Sequence, residues 1–177
     1  MIEAPYPSPP WRLRGTVQAA LWRVPREALP GPLPDGARPL GWGRNALLAT
    51  VRADWQAGGD LAYRELVVAV PVRLGRRIGV TVTAAWVDSP ASLAGGGALW
   101  AIPKQLGRFE SVDGRTALTD AQGLVAIFTD RPGRALTLRL PVPLLVLQPD
   151  GAGIRTTRAA ATGRPGLGGP DWDFPPT

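Results

Sequence analysis

Apolar and polar residues alternate along much of this chain, which is typical of β-strands whose successive side chains point to opposite faces. The alternation over residues 13–24 predicts one strand, and residues 46–53 predict a second. The apolar run 63–72 predicts a strand that is buried on both faces. The β-branched segment 78–87 predicts its partner, joined to it by an arginine-rich turn at 73–77.

Further strands are predicted nearer the C-terminus. Residues 124–130 and 135–140 are expected to form a hairpin, because the link Arg131-Pro132-Gly133-Arg134 is built from turn residues. Residues 144–147 predict another short strand, and residues 154–162 predict the last one. Many short strands separated by Gly/Pro turns favour a mainly β fold, either an antiparallel barrel or a sandwich.

Four segments depart from this pattern. The first ten residues contain four prolines and predict an extended arm, whereas residues 25–33 allow one short helical turn. Residues 163–177 are rich in glycine and proline and predict a loosely held tail. Residues 89–110 show neither the strand period nor a clear helical one, and their Gly95-Gly96-Gly97 predicts a flexible turn. Irregular segments between strands often hold functional residues.

Length and composition predict one globular domain over residues 1–177, because 45% of the residues are apolar. No apolar run approaches the roughly 20 residues that span a bilayer, and the N-terminus lacks the pattern of a signal peptide. The chain has no cysteine and therefore no disulfide framework. We expect a cytoplasmic protein with no membrane partner.

The formal charge of +6 raises the question of nucleic-acid binding. The arginines are scattered, however, and the densest group, Arg73, Arg76 and Arg77, falls in a predicted turn where solvated charges are ordinary. No helix-turn-helix, zinc-finger or stacked-aromatic pattern accompanies the charge. We therefore expect no nucleic-acid partner.

The residues that are missing restrict the possible chemistry. The chain has no histidine and no cysteine, which excludes Ser-His-Asp and Cys-His nucleophiles and metal sites built on imidazole or thiolate. It has nineteen arginines but a single lysine, Lys104. Drift from lysine to arginine codons explains the loss of other lysines but not the retention of this one. Arginine cannot replace a lysine whose amine must lose a proton and attack a carbonyl.

The segment around Lys104 resembles the signature of the acetoacetate decarboxylase-like family, in which a glycine pair precedes an apolar stretch and then Pro-Lys-x-Leu. Here these residues are Gly95-Gly96 and Pro103-Lys104-Gln105-Leu106. The stretch 63–68 (Tyr-Arg-Glu-Leu-Val-Val) resembles the strand of that family that carries an active-site glutamate, and residues 9–15 resemble its usual entry. The resemblance extends over most of the chain.

This resemblance implies an antiparallel, cone-like β-barrel with a few short flanking helices and an internal pocket. It also implies a homo-oligomer that acts on a small keto-acid substrate without a cofactor or a metal. Lys104 is expected to form an imine with the substrate, and Glu65 to transfer protons nearby. For Glu65 the structural alternative is a salt bridge to Arg64 or another arginine at a strand end.

The expected substrate-binding residues surround this pair. Arg14 is the candidate for binding the substrate carboxylate, with Arg12 as its competitor. Tyr63 shares a strand face with Glu65 because the two residues are two positions apart. Trp100 belongs to the apolar stretch before the lysine, and Gln105 follows it.

The chain departs from the family pattern in three places. Gly97-Ala98 stands where the family often has Arg-Glu, Gln105 stands where the best-studied decarboxylases carry a second lysine, and the arginine for the carboxylate matches either Arg14 or Arg12. The chain also ends early compared with full-length decarboxylases. A lysine amine in water has a pKa of about 10.4, and burial can lower such a pKa by about 3–5 units. Without a second lysine, burial among apolar neighbours must activate the amine, with Arg108 as an additional nearby cation.

Three functions are therefore open. The first is decarboxylation of a small β-keto acid through an imine on Lys104. The second is another imine reaction, either aldol condensation with dehydration or cyclisation, on pyruvate-like substrates. The third is a barrel that binds a small molecule without catalysis.

Overall fold

The structure is a computed structural model that describes residues 5–131, 134–135, 140–167 and 170–175. Within these ranges the chain forms one α-helix, one short 3-10 turn (Arg26–Ala28) and fourteen strands. The helix is α1 Pro90–Trp100. The strands are β1 Gly15–Pro25, β2 Arg38–Pro39, β3 Asn45–Trp55, β4 Tyr63–Leu74, β5 Arg77–Val87, β6 Lys104–Leu106, β7 Arg108–Val112, β8 Arg115–Asp120, β9 Gly123–Thr129, β10 Arg134–Ala135, β11 Leu140–Asp150, β12 Gly153–Gly163, β13 Gly166–Leu167 and β14 Asp171–Asp173.

The strands form three sheets. The largest has eight strands in the order β1-β3-β4-β5-β11-β12, with β2 beside β4 and β6 beside β5. A four-stranded sheet has the order β14-β9-β8-β7, and β10 pairs with β13. The mainly β class is confirmed. Among the described residues the large sheet is not closed, because its edge strands β1 and β12 do not pair with each other.

The two larger sheets pack face to face through one hydrophobic cluster. Leu66 and Trp86 of the large sheet contact the four-stranded sheet, whose contribution includes Phe109, Leu118 and Phe128. The opposite face of the large sheet carries a second cluster: Ala69, Val82, Ala85 and Val146, with Ile102 packed against them. This second face also carries the candidate functional side chains.

The early strands agree with the alternation in the sequence. β1, β3, β4 and β5 overlap the four predicted strands, and the 3-10 turn lies in the segment predicted to be helical. β4 pairs with β5 in an antiparallel ladder, with a bulge between Val68 and Ala69. Period-two patterns are local properties of the chain, which is why they identify strands without knowledge of the strand partners.

The segment 89–110 is more regular than expected. It contains α1, β6 and the start of β7, so the predicted flexible turn at Gly95-Gly96-Gly97 is wrong: these glycines lie inside a helix. The helix begins in a regular way, because the Ser89 hydroxyl accepts a hydrogen bond from the Ser92 N–H and Pro90 occupies the first turn. The three glycines concealed the helical period, because glycine has no side chain to mark a face.

A hairpin that the alternation did not identify joins β7 and β8. Asp113 and Gly114 form its turn and both have positive φ, of 49° and 74°. Such Asp-Gly pairs favour two-residue hairpin turns. The hairpin predicted at 131–134 is wrong, because β9 lies between β8 and β14 while β10 pairs with β13. The turn residues 132–133, and residues 136–139 of the predicted strand, lie outside the described residues.

The C-terminal segment is also more ordered than expected. β12 is not the last strand, because β14 adds to the edge of the four-stranded sheet beside β9. Trp172 of β14 packs edge-on against Phe128, with ring centroids 5.2 Å apart. The packing of the partly buried Trp172 on the buried Phe128 explains why the glycine- and proline-rich composition does not leave Asp171–Asp173 loosely held. Among the described residues, no helix is both long enough and apolar enough to cross a membrane.

The helix ends in a left-handed residue that is not glycine. Ala101 has a φ of 53°, and its N–H and that of Ile102 donate to the Gly97 and Gly96 carbonyls. Left-handed geometry places Cβ close to the following carbonyl, so this position favours glycine.

We expect Ala101→Gly to raise the free energy of unfolding by about 0.5–1 kcal/mol, because glycine removes this steric cost. The corresponding rise in melting temperature is about 1–4 °C for a chain of this size. Thermal unfolding followed by circular dichroism measures it.

The matched control is Ala98→Gly, at an exposed position of the same helix. It should lower stability by about 1 kcal/mol, since the helical interior disfavours glycine. Equal destabilisation by both substitutions would show that Ala101 is not strained.

Candidate functional site

The position of Lys104 is set by its strand. β6 runs parallel to β5, and Lys104 lies opposite Ala85. Paired residues point to the same face of a sheet, so the lysine side chain lies on the face that carries the second hydrophobic cluster. Its side chain is only 4% exposed.

Glu65 reaches the same face from β4. It pairs with Ala53 of β3 and Val87 of β5, and it is buried. Tyr63, Val67 and Ala69 share its face of the strand, as the period of two predicts. Arg64, the possible salt-bridge partner, points the other way and binds Asp88 instead, at 2.8 Å.

Lys104 and Glu65 form a buried ion pair. The lysine Nζ lies 2.7 Å from Glu65 Oε1. The same nitrogen donates a hydrogen bond to the Ser92 Oγ of α1 at 2.9 Å, and it lies 5.2 Å from the centre of the Tyr63 ring. The only lysine is therefore enclosed by a carboxylate, a hydroxyl and an aromatic face.

The second oxygen of Glu65 is also bonded. The Trp55 Nε1–H donates to Oε2 at 3.2 Å, and Trp55 pairs with Tyr63 across β3 and β4. With one oxygen held by the indole and the other by the amine, the carboxylate has a fixed orientation. A fixed orientation is what directed proton transfer requires.

Tyr63 remains a phenol in this environment. Burial raises the pKa of its hydroxyl far above the ordinary range, and the negative charge of Glu65 raises that pKa further. A hydrogen bond with Ser92 acts in the opposite direction but is the smallest of the three effects. Tyr63 therefore keeps its proton near neutral pH and can donate a hydrogen bond.

A glycine of α1 makes room for the lysine stem. A Cβ at Gly96 would lie 2.6 Å from both Cδ and Cε of Lys104, closer than van der Waals contact permits. The next residue, Gly97, is exposed, and a Cβ there would contact nothing within 4 Å. Of these two neighbours, only Gly96 is needed for the close approach of helix and lysine.

Gln148 stabilises the turn that leads to the lysine. Two strands pair with β5 in succession: β11 at Val80, and β6 at the residues that begin with Ala85. Val82 lies on β5 between these two pairings. The fully buried Gln148 amide fills this gap: Oε1 accepts from the Val82 N–H at 2.7 Å, and Nε2 donates to the Val82 carbonyl at 3.0 Å. Nε2 also donates to the Ala101 carbonyl at 3.2 Å, three residues before Lys104.

Among the described residues, the other expected site residues form no hydrogen bond or ion pair with Lys104 or Glu65. Gln105 points away from the lysine face and is exposed, because neighbouring residues of a strand alternate. Trp100 packs edge-on against Trp11 of the N-terminal arm, with ring centroids 4.6 Å apart. Arg14 has an exposed side chain, as does Arg12, and its carbonyl accepts from Gln56 N–H beside Trp55.

Arg108 is not a cation beside the lysine. Its side chain is 78% exposed and pairs with Glu110 on the same strand, at 2.6 Å.

Three residues of the site were not identified from the sequence: Ser92, Trp55 and Gln148. Nothing in the local pattern of residues marks them, since each acts across the fold on a distant segment.

No metal site is visible in the part of the chain that the structure describes, where no three acidic side chains form a group suited to a cation. A surface cleft of about 380 Å³ lies elsewhere, lined by residues that include Arg26, Arg38 and Arg73. None of its lining residues belongs to the lysine site.

Comparison with solved structures finds the same fold in proteins of low sequence identity. The enduracididine biosynthesis enzyme MppR complexed with pyruvate is 20% identical, with a TM-score of 0.63 over 99% of this chain and 81% of that one. An acetoacetate decarboxylase structure is also 20% identical, with a TM-score of 0.61 over 100% and 82% of the two chains. Acetoacetate decarboxylase from Legionella pneumophila gives 20% and 0.58, over 97% and 76%.

A search of curated protein sequences finds no match. The family described as acetoacetate decarboxylase (ADC), in contrast, matches residues 3–134. This range includes every member of the buried cluster formed by Trp55, Tyr63, Glu65, Ser92 and Lys104, and it exceeds half of the chain. The chain therefore belongs to the acetoacetate decarboxylase family.

Proposed function

We propose that this protein decarboxylates a small β-keto acid through an imine on Lys104. The observation that carries the proposal is the burial of the only lysine at 2.7 Å from a buried glutamate. Strongly enclosed ionisable pairs of this kind are more common at reactive sites than on ordinary surfaces. Membership of the acetoacetate decarboxylase family supports the same assignment.

The first step requires a neutral amine. Glu65 Oε1 is in place to take the proton that Lys104 must lose before it attacks the substrate ketone. A carbon–nitrogen bond then forms, the ketone oxygen leaves as water with a proton from Glu65, and a protonated imine remains. This route uses the amine of the protein and no cofactor.

The second step breaks the carbon–carbon bond. The electron pair of the bond to the carboxylate moves into the protonated imine as CO2 leaves, which produces an enamine. Glu65, which gave its proton to the departing water, regains one from solvent and passes it to the enamine carbon. Water then attacks the resulting imine to release the ketone and the free lysine. Glu65, held by Trp55, is the proposed proton donor and acceptor in these transfers.

Substrate binding requires access to an enclosed amine. Because only 4% of the Lys104 side chain is exposed, side chains around Nζ must move before a keto acid can reach this nitrogen. The Tyr63 phenol is the proposed hydrogen-bond donor to the substrate. Arg14, whose exposed side chain precedes β1 beside Trp55, is the proposed partner of its carboxylate.

A second candidate is an imine-dependent condensation or cyclisation of a pyruvate-like substrate. Gly97-Ala98 and Gln105 depart from the pattern of the decarboxylases at positions next to the lysine segment. MppR, which has the same fold, has been solved with pyruvate and with the condensation product of pyruvate and imidazole 4-carboxaldehyde. Both candidates share the imine and differ in the bond that is broken or formed after it.

We expect borohydride to trap a covalent adduct of acetoacetate or pyruvate on the native protein, and Lys104→Arg to abolish it, because guanidinium cannot form the imine. Intact mass measures the adduct. Since Lys104 is the only lysine, peptide mapping need only distinguish it from the N-terminal amine.

CO2 release from acetoacetate supports decarboxylation. An adduct with pyruvate and no CO2 release from any β-keto acid supports the second candidate. No adduct with any small keto acid would refute both candidates and favour a protein that binds a small molecule without catalysis.

For Glu65→Gln, we expect adduct formation to slow by about 100-fold or more, because the amide cannot accept the lysine proton. The rate is measured by quenching samples at intervals with borohydride. The variant should also melt at a lower temperature, since it leaves a buried ammonium without its counterion.

The matched control is Glu110→Gln, which changes an exposed glutamate paired with Arg108. Exposed pairs contribute at most about 1 kcal/mol, so this variant should resemble the native protein in both measurements. A Glu65→Gln variant with the native rate would remove Glu65 from the mechanism.

Substitutions at Gly96 and at its neighbour Gly97 test whether the close approach of the helix to the Lys104 stem is needed for the reaction. We expect Gly96→Ala to reduce the rate of adduct formation by at least about tenfold, because its Cβ displaces the lysine stem from Glu65 and Ser92. Gly97→Ala should keep the native rate and add up to about 1 kcal/mol of stability. Equal rates in the two variants would show that the close approach at Gly96 is not needed.

A further inference from the structure

Ser92 is fully buried, and its Oγ lies 2.9 Å from the Nζ of Lys104. Among the described residues, this hydroxyl and Glu65 Oε1 are the oxygen atoms bonded to that nitrogen. The resemblance to the decarboxylase signature does not assign the hydroxyl a role. Any role at the amine rests on the proposed function, since it presupposes that Lys104 forms an imine.

The helix does not need this hydroxyl. The N-cap of α1 is Ser89, which accepts from the backbone N–H of Ser92, so the Ser92 side chain is not the cap. Within a helix, alanine is favoured over serine, and burying a hydroxyl costs free energy unless it is hydrogen-bonded. The Ser92 hydroxyl is accounted for by its partner at the site, the amine of Lys104.

Imine formation contains a proton transfer that Glu65 is poorly placed to complete alone. When the amine adds to the ketone, the nitrogen must lose a proton and the adjacent oxygen must gain one. Direct transfer between them passes through a strained four-membered ring. A hydroxyl bonded to the nitrogen enlarges the ring by receiving one proton while it donates another.

We propose that Ser92 is a catalytic residue that relays this proton. As the bond between Lys104 Nζ and the ketone carbon forms, a proton passes from Nζ to Ser92 Oγ. The proton already on Oγ passes to the substrate oxygen, which becomes the hydroxyl of the carbinolamine. Ser92 ends the step as a neutral hydroxyl, so no charge and no atom is left over.

In this proposal, the two groups that contact the amine transfer different protons. Glu65 takes the first proton from the ammonium and later returns it to the departing water. Ser92 acts between these events, beside the Tyr63 ring that lies 5.2 Å from the same nitrogen. The same hydroxyl runs the relay in reverse when the final imine is hydrolysed.

The test compares Ser92→Ala, Ser92→Thr and the control Ser111→Ala, with acetoacetate and pyruvate as the probes. Ser111 also has a hydrogen-bonded hydroxyl, 2.9 Å from Thr116 Oγ1, but it lies on β7 away from the site. Quenched-flow mixing with borohydride gives the rate of adduct formation and its final extent by intact mass. Melting temperatures and rates in D2O are measured for each variant.

We expect Ser92→Ala to slow adduct formation by about 100-fold, the lower end of what general acid–base catalysis contributes, without changing its final extent. The solvent isotope effect on its rate should differ from the native value, because the relayed protons are no longer transferred together. Ser92→Thr retains the hydroxyl and should recover most of the native rate. Ser111→Ala should react at the native rate.

The relay is wrong if Ser92→Ala reacts within about twofold of the native rate while the native protein forms the adduct, and the proposed function then stands without it. It is also wrong if Ser92→Thr melts like the native protein yet reacts as slowly as Ser92→Ala. A lower rate matched by a lower final extent and a lower melting temperature indicates a structural role only. If the native protein forms no adduct, the proposed function fails first and the relay fails with it.

Discussion

Burying an ammonium requires a counterion at the same place, and this requirement links three parts of the fold. Lys104 comes from β6, Glu65 from β4, and the hydroxyl of Ser92 from α1. An unpaired buried charge costs several kcal/mol, so the register of β4, β5 and β6 and the position of the helix must all agree for the pair to form. Such a pair is weak evidence for stability, because its desolvation offsets its attraction.

The helix next to the pair has residues that disfavour its own backbone conformation. α1 contains three glycines, and it ends at Ala101 in a conformation that favours glycine. Long-range contacts hold this weak segment in place: Gln148 binds the Ala101 carbonyl, and Trp11 of the N-terminal arm packs against Trp100. Sites that combine local strain with external support are common where function, and not stability, determines the residues.

Sequence patterns predicted the strands better than their pairing. The alternation in β1, β3, β4 and β5 is local and was sufficient, whereas β9 was paired with the wrong neighbour. β9 takes β8 and β14 as its partners, and β14 lies in a segment whose composition suggested a loose tail. The sequence does contain two further local signatures: Asp113-Gly114 is typical of a hairpin turn, and Ser89-Pro90 is typical of a helix start. The alternation of apolar and polar residues identified neither of them.

The sequence by itself determined the chemistry that is available. It contains one lysine and neither histidine nor cysteine, and the resemblance of the segment around Lys104 to the decarboxylase signature implied an imine there. The period of β4 already placed Tyr63 and Glu65 on one face. Only the tertiary structure brought Ser92 to the amine, Trp55 to Glu65 and Gln148 to Val82. These contacts join segments 10 to 66 residues apart, and they depend on sheet register and helix position, which no local pattern encodes.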